Sequence, residues 1–339
     1  MLNIIRRKSI LKNIFSILKM KTKLKLLKYN KKLLDKLDIN LKHFQEFKLL
    51  NDLNTKFHSN IEDIDISTLV ISRENIGNEL LGYLTKINFN KLKKLNISRN
   101  EISDIKELER AKFKKLESLD LGDNIISDIN ILEKLNFNEL KCLDLRENNI
   151  NNINILKKVK FNKLEELILF SNNISDINIL EKVTFNKLKY LDLGYNKISD
   201  INILEKVQFE KFEELYLGYN KISDIKVLEK VKFGELKELN LEGNEIYDIN
   251  ALEKVKFEKL EFLFLCCNQI SDIDVLEKVN FKGLKFLDLK ENKISDINVF
   301  KRVKFNKLNT LNLEGNEFIS DLNYSIIQFL KSEIIDFKY

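Results

Sequence analysis

Histidine and cysteine are scarce in this sequence: 2 and 3 among 339 residues. His43, His58, Cys142, Cys266 and Cys267 show no metal-ligand spacing, so no zinc site is read from the sequence. An odd cysteine count with two adjacent excludes a disulfide framework and predicts a reducing cytoplasm. The 9 glycines form no phosphate-cradling loop, and no nucleophile stands beside a base. The chain therefore does not read as an enzyme, and no cofactor or metal is expected. No uncharged apolar run is long enough to cross a bilayer. The early apolar residues are interrupted by lysines, and no small-residue cleavage site follows, so no secretory leader is expected. Proline and tryptophan are absent altogether.

What is present is a repeat. Asn100, Asn124, Asn148, Asn172, Asn196, Asn220, Asn244, Asn268, Asn292 and Asn316 stand 24 residues apart. Each is preceded by apolar residues three, five and eight positions earlier, with Phe212 replacing one leucine. In Leu191-Asp192-Leu193 the alternation is that of a strand with leucine inward. Asn196 closes the strand, and its amide both donates and accepts, so stacked asparagines satisfy turn backbone. Ser199 or Asp200 suits a helix N-cap. Ile201, Leu204 and Val207 then follow at the spacing of a short α or 3₁₀ turn. Phe209 and its counterparts at 89, 113, 137, 161, 185, 233, 257, 281 and 305 predict a continuous aromatic seam inside the stack. One such unit cannot bury its own apolar face, so stability must come from its neighbours.

Units reading NxISDIxxLxxVxFxxL resemble the short leucine-rich repeats of the internalin and phosphatase-regulator type. The resemblance runs from about Ile66 to Leu322. It implies an α/β repeat fold: a curved right-handed solenoid with a parallel sheet on its concave face and short α or 3₁₀ turns outside. It also implies a non-catalytic protein that binds other proteins. This chain departs from the usual pattern in having longer units and no proline.

Four segments follow. Residues 1–60 are basic and helical in spacing, with 15 lysines and arginines against 4 acids, whereas the remainder carries a slight acidic excess. This head has three readings: a cap on the open end of the solenoid, a membrane-surface contact through residues 1–30, or an F-box. The third rests on Ile10-Leu11-x-x-Ile14-Phe15-x-x-Leu18, which resembles an F-box and implies a substrate receptor of a ubiquitin ligase as the alternative function. Residues 61–91 form a degenerate first unit, with Glu74 in place of asparagine. Residues 92–316 hold the ten units. In residues 317–339, Ile326, Ile327, Phe329 and Leu330 suggest a closing helix, and Ile334, Ile335 and Phe337 a last strand.

Positions six, four, two and one before each asparagine face the concave side. Of these forty residues 12 are acidic and 4 basic, on a chain of net charge +6. Eight are aromatic, clustered between Phe170 and Phe286. The candidate partner-binding residues are Phe170, Tyr190, Asp192, Tyr195, Glu214, Tyr216, Tyr219, Glu238, Phe262, Phe264, Phe286 and Asp288. Exposed rings beside carboxylates predict a basic, partly apolar protein or peptide partner. Nucleic acid is not expected there, because phosphates meet like charge. The chain is expected to act as a monomer. Gly122, Gly194, Gly218, Gly243 and Gly315 are expected to ease curvature at strand ends.

Overall fold

Each unit begins with a strand of three residues whose middle side chain is a buried leucine. Tyr190–Asp192 is one of these, with Leu191 inward. The computed structural model describes residues 18, 22–23, 25–26, 37, 41–57, 61, 65–72, 75–303, 305–318 and 324–339. Within them eleven such strands, from Thr68–Val70 to Thr310–Asn312, and a twelfth, Asp336–Lys338, with half-buried Phe337 at its centre, form one parallel sheet in strict chain order. The register is that of the repeat: Leu191 pairs with Leu167 and with Leu215. The solenoid implied by the spacing is therefore the fold observed.

The turn after each strand is built by the asparagine. Asn196 is buried and donates through Nδ2 to the carbonyls of Leu193 at 3.1 Å, Gly194 at 3.0 Å and Leu169 of the preceding unit at 3.0 Å. Its Oδ1 accepts from the N–H of Ile174 at 2.9 Å. One side chain thus closes its own turn and clamps the unit before it.

The outward segment is 3₁₀, as at Asn202–Lys206. Aspartate rather than serine starts it: Asp200 Oδ1 accepts the N–H of Asn202 at 2.8 Å. Ile201, Leu204 and Val207 are buried as the spacing predicted, and Ile203 joins them. The phenylalanine column is buried from Phe89 to Phe281. Its rings do not form an unbroken seam, however. Among the described residues Phe89, Phe113 and Phe137 meet in sequence at 6.2 and 6.3 Å, and Phe212 is inserted between Phe209 and Phe233. Elsewhere in the column leucine, isoleucine and valine supply the packing.

Both ends of the core are covered. Leu50, Leu53 and Phe57 of the segment that includes helix Leu41–Lys56 join the core beside Leu80, Leu81 and Leu84. The F-box-like stretch, apart from Leu18, and most of the basic head lie outside the described residues, as does Glu74. At the far end, helix Tyr324–Glu333 buries Ile326, Ile327 and Leu330. Phe329 belongs to that helix as the sequence suggested but is exposed, and Ile335 is exposed and stands outside the strand. Phe329 lies on the outer side of its helix, and Ile335 precedes the final strand, where Phe337 pairs with Leu311. Lysine and aspartate flank Phe337, so charge guards the sheet edge. No helix among the described residues is long and apolar enough to cross a membrane.

Candidate functional site: the concave face

A backbone feature that the repeat pattern did not announce shapes this face. The residue before each asparagine is left-handed: Arg99, Asp123, Glu147, Ser171, Tyr195, Tyr219, Cys267 and Glu291 have φ between +48° and +59°, and Gly243 and Gly315 have +63° and +70°. A non-glycine residue there costs about 1–2 kcal/mol. The asparagine clamp holds it. So does a hydrogen bond across the stack, as from Tyr195 N–H to the Gly218 carbonyl at 2.8 Å. Two glycines among ten residues of this column were the available signal.

The predicted aromatic residues come together in three groups. Phe170, Tyr195 and Tyr219 form a row along the strand ends, with ring centroids 5.0 Å and then 4.1 Å apart. Tyr190 and Tyr216 meet on the sheet itself at 5.1 Å. Phe264 and Phe286 meet at 4.9 Å, with Phe262 6.3 Å from Phe286. Tyr195 and Tyr219 are 47% and 37% exposed, and the other six rings are half-buried. The Tyr219 ring lies flat over Gly243, where an added Cβ would stand 2.6 Å from it. Gly243 therefore serves close packing and a left-handed turn, rather than curvature.

The acids divide into two kinds. Asp192 Oδ1 accepts the N–H of Gly194 at 2.9 Å, and Asp288 Oδ1 that of Lys290 at 3.0 Å. The same bond is made by Asp120, Asp144, Asn96, Asn240 and Asn312 at the equivalent position. Aspartate and asparagine serve alike there because either supplies an oxygen to the turn, whatever its charge, although Ile168, Tyr216 and Phe264 hold the same position without one. Asp192 and Asp288 thus have a structural task that a reading based on charge missed. Partial burial lifts the pKa of both above the usual carboxylate range, against the pull of those N–H donors. Asp144 is neutralised by Arg146, whose guanidinium lies 2.6 Å away.

Glu214 and Glu238 are of the second kind. They are register partners on adjacent strands. Among the described residues neither has an ion-pair partner, whereas the neighbouring Glu213 is bound by Lys237 at 2.5 Å. Burial, and then Glu238, raises the pKa of Glu214. The Tyr216 hydroxyl donates to Glu214 at 3.3 Å, and that of Tyr219 to Glu242 at 2.6 Å. The Tyr216 phenol is held up by burial and by the neighbouring Glu238 carboxylate, and that of Tyr219 chiefly by its bond to Glu242. Both remain neutral donors.

The N-terminal end of the face is polar. A cavity of about 450 Å³ there is lined by Ser98, Arg99, Asp120, Asp123, Asp144 and Arg146, among others. Cys142 nearby is free, and burial pushes its thiol up to about 12, the reverse of an activated nucleophile.

Comparison with known proteins gives the fold a family setting. Residues 90–134, 186–230 and 234–278 match the family model for Leucine Rich repeats (2 copies). No curated protein matches the sequence. Among solved structures, an internalin (inlF) from Listeria monocytogenes is similar at 25% identity and a TM-score of 0.51, over 86% of this chain and 94% of that one. A plant peptide hormone receptor, RGFR1 in complex with RGF2, is similar at 16% identity and a TM-score of 0.54, over 75% of this chain. This chain spans 44% of that receptor's length.

Proposed function

We propose that this chain, a leucine-rich-repeat solenoid of the short internalin-like type, is a non-catalytic interaction module. It holds a basic, partly apolar segment of a protein or peptide against the concave face between Phe170 and Phe286. The observation that carries this reading is the Glu214–Glu238 pair. Two carboxylates directly opposite on neighbouring strands repel each other, and a protein gains by separating or neutralising them. Here they stand side by side with Tyr190, Tyr216 and Phe262 in the same and adjoining strands. A lysine or arginine from a partner would relieve the repulsion, and its stem and neighbours would lie on the rings.

The half-buried rings also supply what hot spots need: large rigid area, and hydroxyls with fixed directions. Tyr216 and Tyr219 have their hydroxyls committed to glutamates, so their faces are what they offer. At about 4.8 Å per strand the stretch from Phe170 to Phe286 spans roughly 25 Å, enough for seven or eight extended peptide residues. Nucleic acid is disfavoured by the same carboxylates. The three free thiols suit a reducing interior, and we assign the chain there as a monomer.

The test is selection from a random-peptide display library on the immobilised full chain. Enrichment of sequences combining lysine or arginine with aromatic or aliphatic residues is expected. Loss of those peptides on the Tyr216→Ala, Tyr219→Ala double variant locates them on this face. Selection of acidic peptides, or of basic ones that bind the double variant as well as the parent, defeats the proposal.

A further inference from the structure

The ring row of the concave face ends at a pair of thiols. Tyr219 donates to Glu242, and beside Glu242 one unit later are Cys266 and Cys267. Side chains of consecutive strand residues ordinarily point to opposite sides. At Cys267 the strand has ended and φ is +55°, and the two sulfurs come to one side. A carboxylate oxygen of Glu242 joins them, and the three atoms lie within 4.8 Å of one another. Cys267 Sγ also donates to Glu291 Oε2 at 3.4 Å. Cys266 is buried and Cys267 half-buried, so the cluster forms part of the wall and opens to solvent on one side.

We propose that Glu242, Cys266 and Cys267 form a binding site for one thiophilic divalent cation of the zinc class, with Glu291 or water as fourth ligand. Two sulfurs select against calcium and magnesium, which need six or more oxygens. Zinc ligands stand about 2.0–2.3 Å from the metal, which places them roughly 3.3–3.8 Å apart in a tetrahedron. Closing the cluster therefore asks for movements of about 1 Å, within the reach of side-chain rotation. Binding replaces the two thiol protons by the cation and releases them to solvent, so no redox step is involved. The Tyr219 hydroxyl fixes the glutamate from behind, the kind of outer contact that orients a metal-binding carboxylate. Tyr219 is thus a positioning residue for the cation. The sequence pattern missed the site because its ligands come from two units and include no histidine.

The experiment is titration of the full chain with Co²⁺, with a phosphine keeping the thiols reduced. Wild type and Cys142→Ser should take up one equivalent with a thiolate-to-cobalt charge-transfer band and the visible bands of tetrahedral cobalt, and Zn²⁺ should displace it. The Cys266→Ser, Cys267→Ser double variant should lose the charge-transfer band. Cys267→Ser alone, at the more exposed position, should weaken it in a chain whose melting is unchanged. Tyr219→Phe should keep the band with affinity lower by roughly 10-fold or more. No charge-transfer band in wild type overturns the proposal. So does a band that survives in the double serine variant, or one that Cys142→Ser abolishes.

Discussion

Tyr195 and Tyr219 stack with ring centroids 4.1 Å apart and planes 24° apart, each from the left-handed position of its unit. The relationship depends on backbone as much as on side chain. An equal φ in consecutive units aims both rings the same way, so they lie one over the other along the strand ends. Phe170 extends the row, and Gly243 gives Tyr219 a flat floor.

Replacing both tyrosines with alanine should change stability little, because each ring is substantially exposed and alanine inherits the same φ. We expect a melting shift of no more than about 1–2 °C, the equivalent of roughly 1 kcal/mol at an unfolding entropy of about 2 cal/mol/K per residue. Affinity for a basic peptide selected on the wild-type face should fall by about 2 kcal/mol, roughly 30-fold. Melting curves and titration calorimetry on the same preparations separate the two effects. A large fall in melting temperature with unaltered affinity would give the rings a structural role instead.

Gly243→Ala should cost about 2 kcal/mol or more, from left-handed strain and from a methyl group driven into the Tyr219 ring. Only the second part depends on the ring. Combining it with Tyr219→Ala should recover about 1 kcal/mol in a double-mutant cycle followed by urea unfolding. Strict additivity of the two changes would mean that ring and glycine do not touch. Conversely, Ser171→Gly relieves left-handed strain without disturbing a ring and should add up to about 1 kcal/mol.

The sequence disclosed the fold because the repeat is written in residue identity: leucine at fixed offsets and asparagine at the turn have no other economical explanation. It disclosed the members of the aromatic groups for the same reason, since the offsets of Tyr190 and Tyr216 place them on strands in register. What it hid was set by contacts between units. Asp192 looked like a surface charge because its backbone partner, Gly194, becomes visible only when the turn is formed. Yet Asn96, Asn240 and Asn312 at the same offset already pointed to an oxygen acceptor. The stack of Tyr195 on Tyr219 was illegible because a left-handed φ is carried by residues as unlike as arginine, serine and tyrosine.

Asn196→Ala should be among the most damaging single changes in the middle of the stack. It strands three carbonyls and the N–H of Ile174, all at a buried turn. Water entering the gap recovers part of this, so we expect a loss of about 3 kcal/mol. Lys237→Ala, which breaks the Glu213 ion pair at 2.5 Å, should cost far less, because the pair faces solvent and is screened. Equal costs for the two variants, measured by urea unfolding, would show that the clamp is not what joins the units.

The half-buried carboxylates give stability and binding opposite responses to acid. Burial raises the folded-state pKa of Asp120, Asp192, Asp288 and Glu214 above the ordinary value. As pH falls from neutral toward the ordinary carboxylate range, near 4, the folded chain therefore takes up protons before the unfolded chain does. Stability rises across that window. It falls again further down, where paired acids such as Glu117, held down to about 2 by Lys141 and Lys93, also protonate; that pair is exposed and screened, so its share is small. The melting temperature should climb by roughly 1–3 °C before it drops. Over the same window a basic peptide should bind more weakly, since Glu214 is losing its charge. Asp192→Asn keeps the oxygen that Gly194 needs and removes the charge, so it should raise the melting temperature at neutral pH and flatten the climb. A melting temperature that falls steadily from neutral pH downward, or an Asp192→Asn variant less stable than wild type at neutral pH, would show that the charge of Asp192 supports the fold rather than straining it.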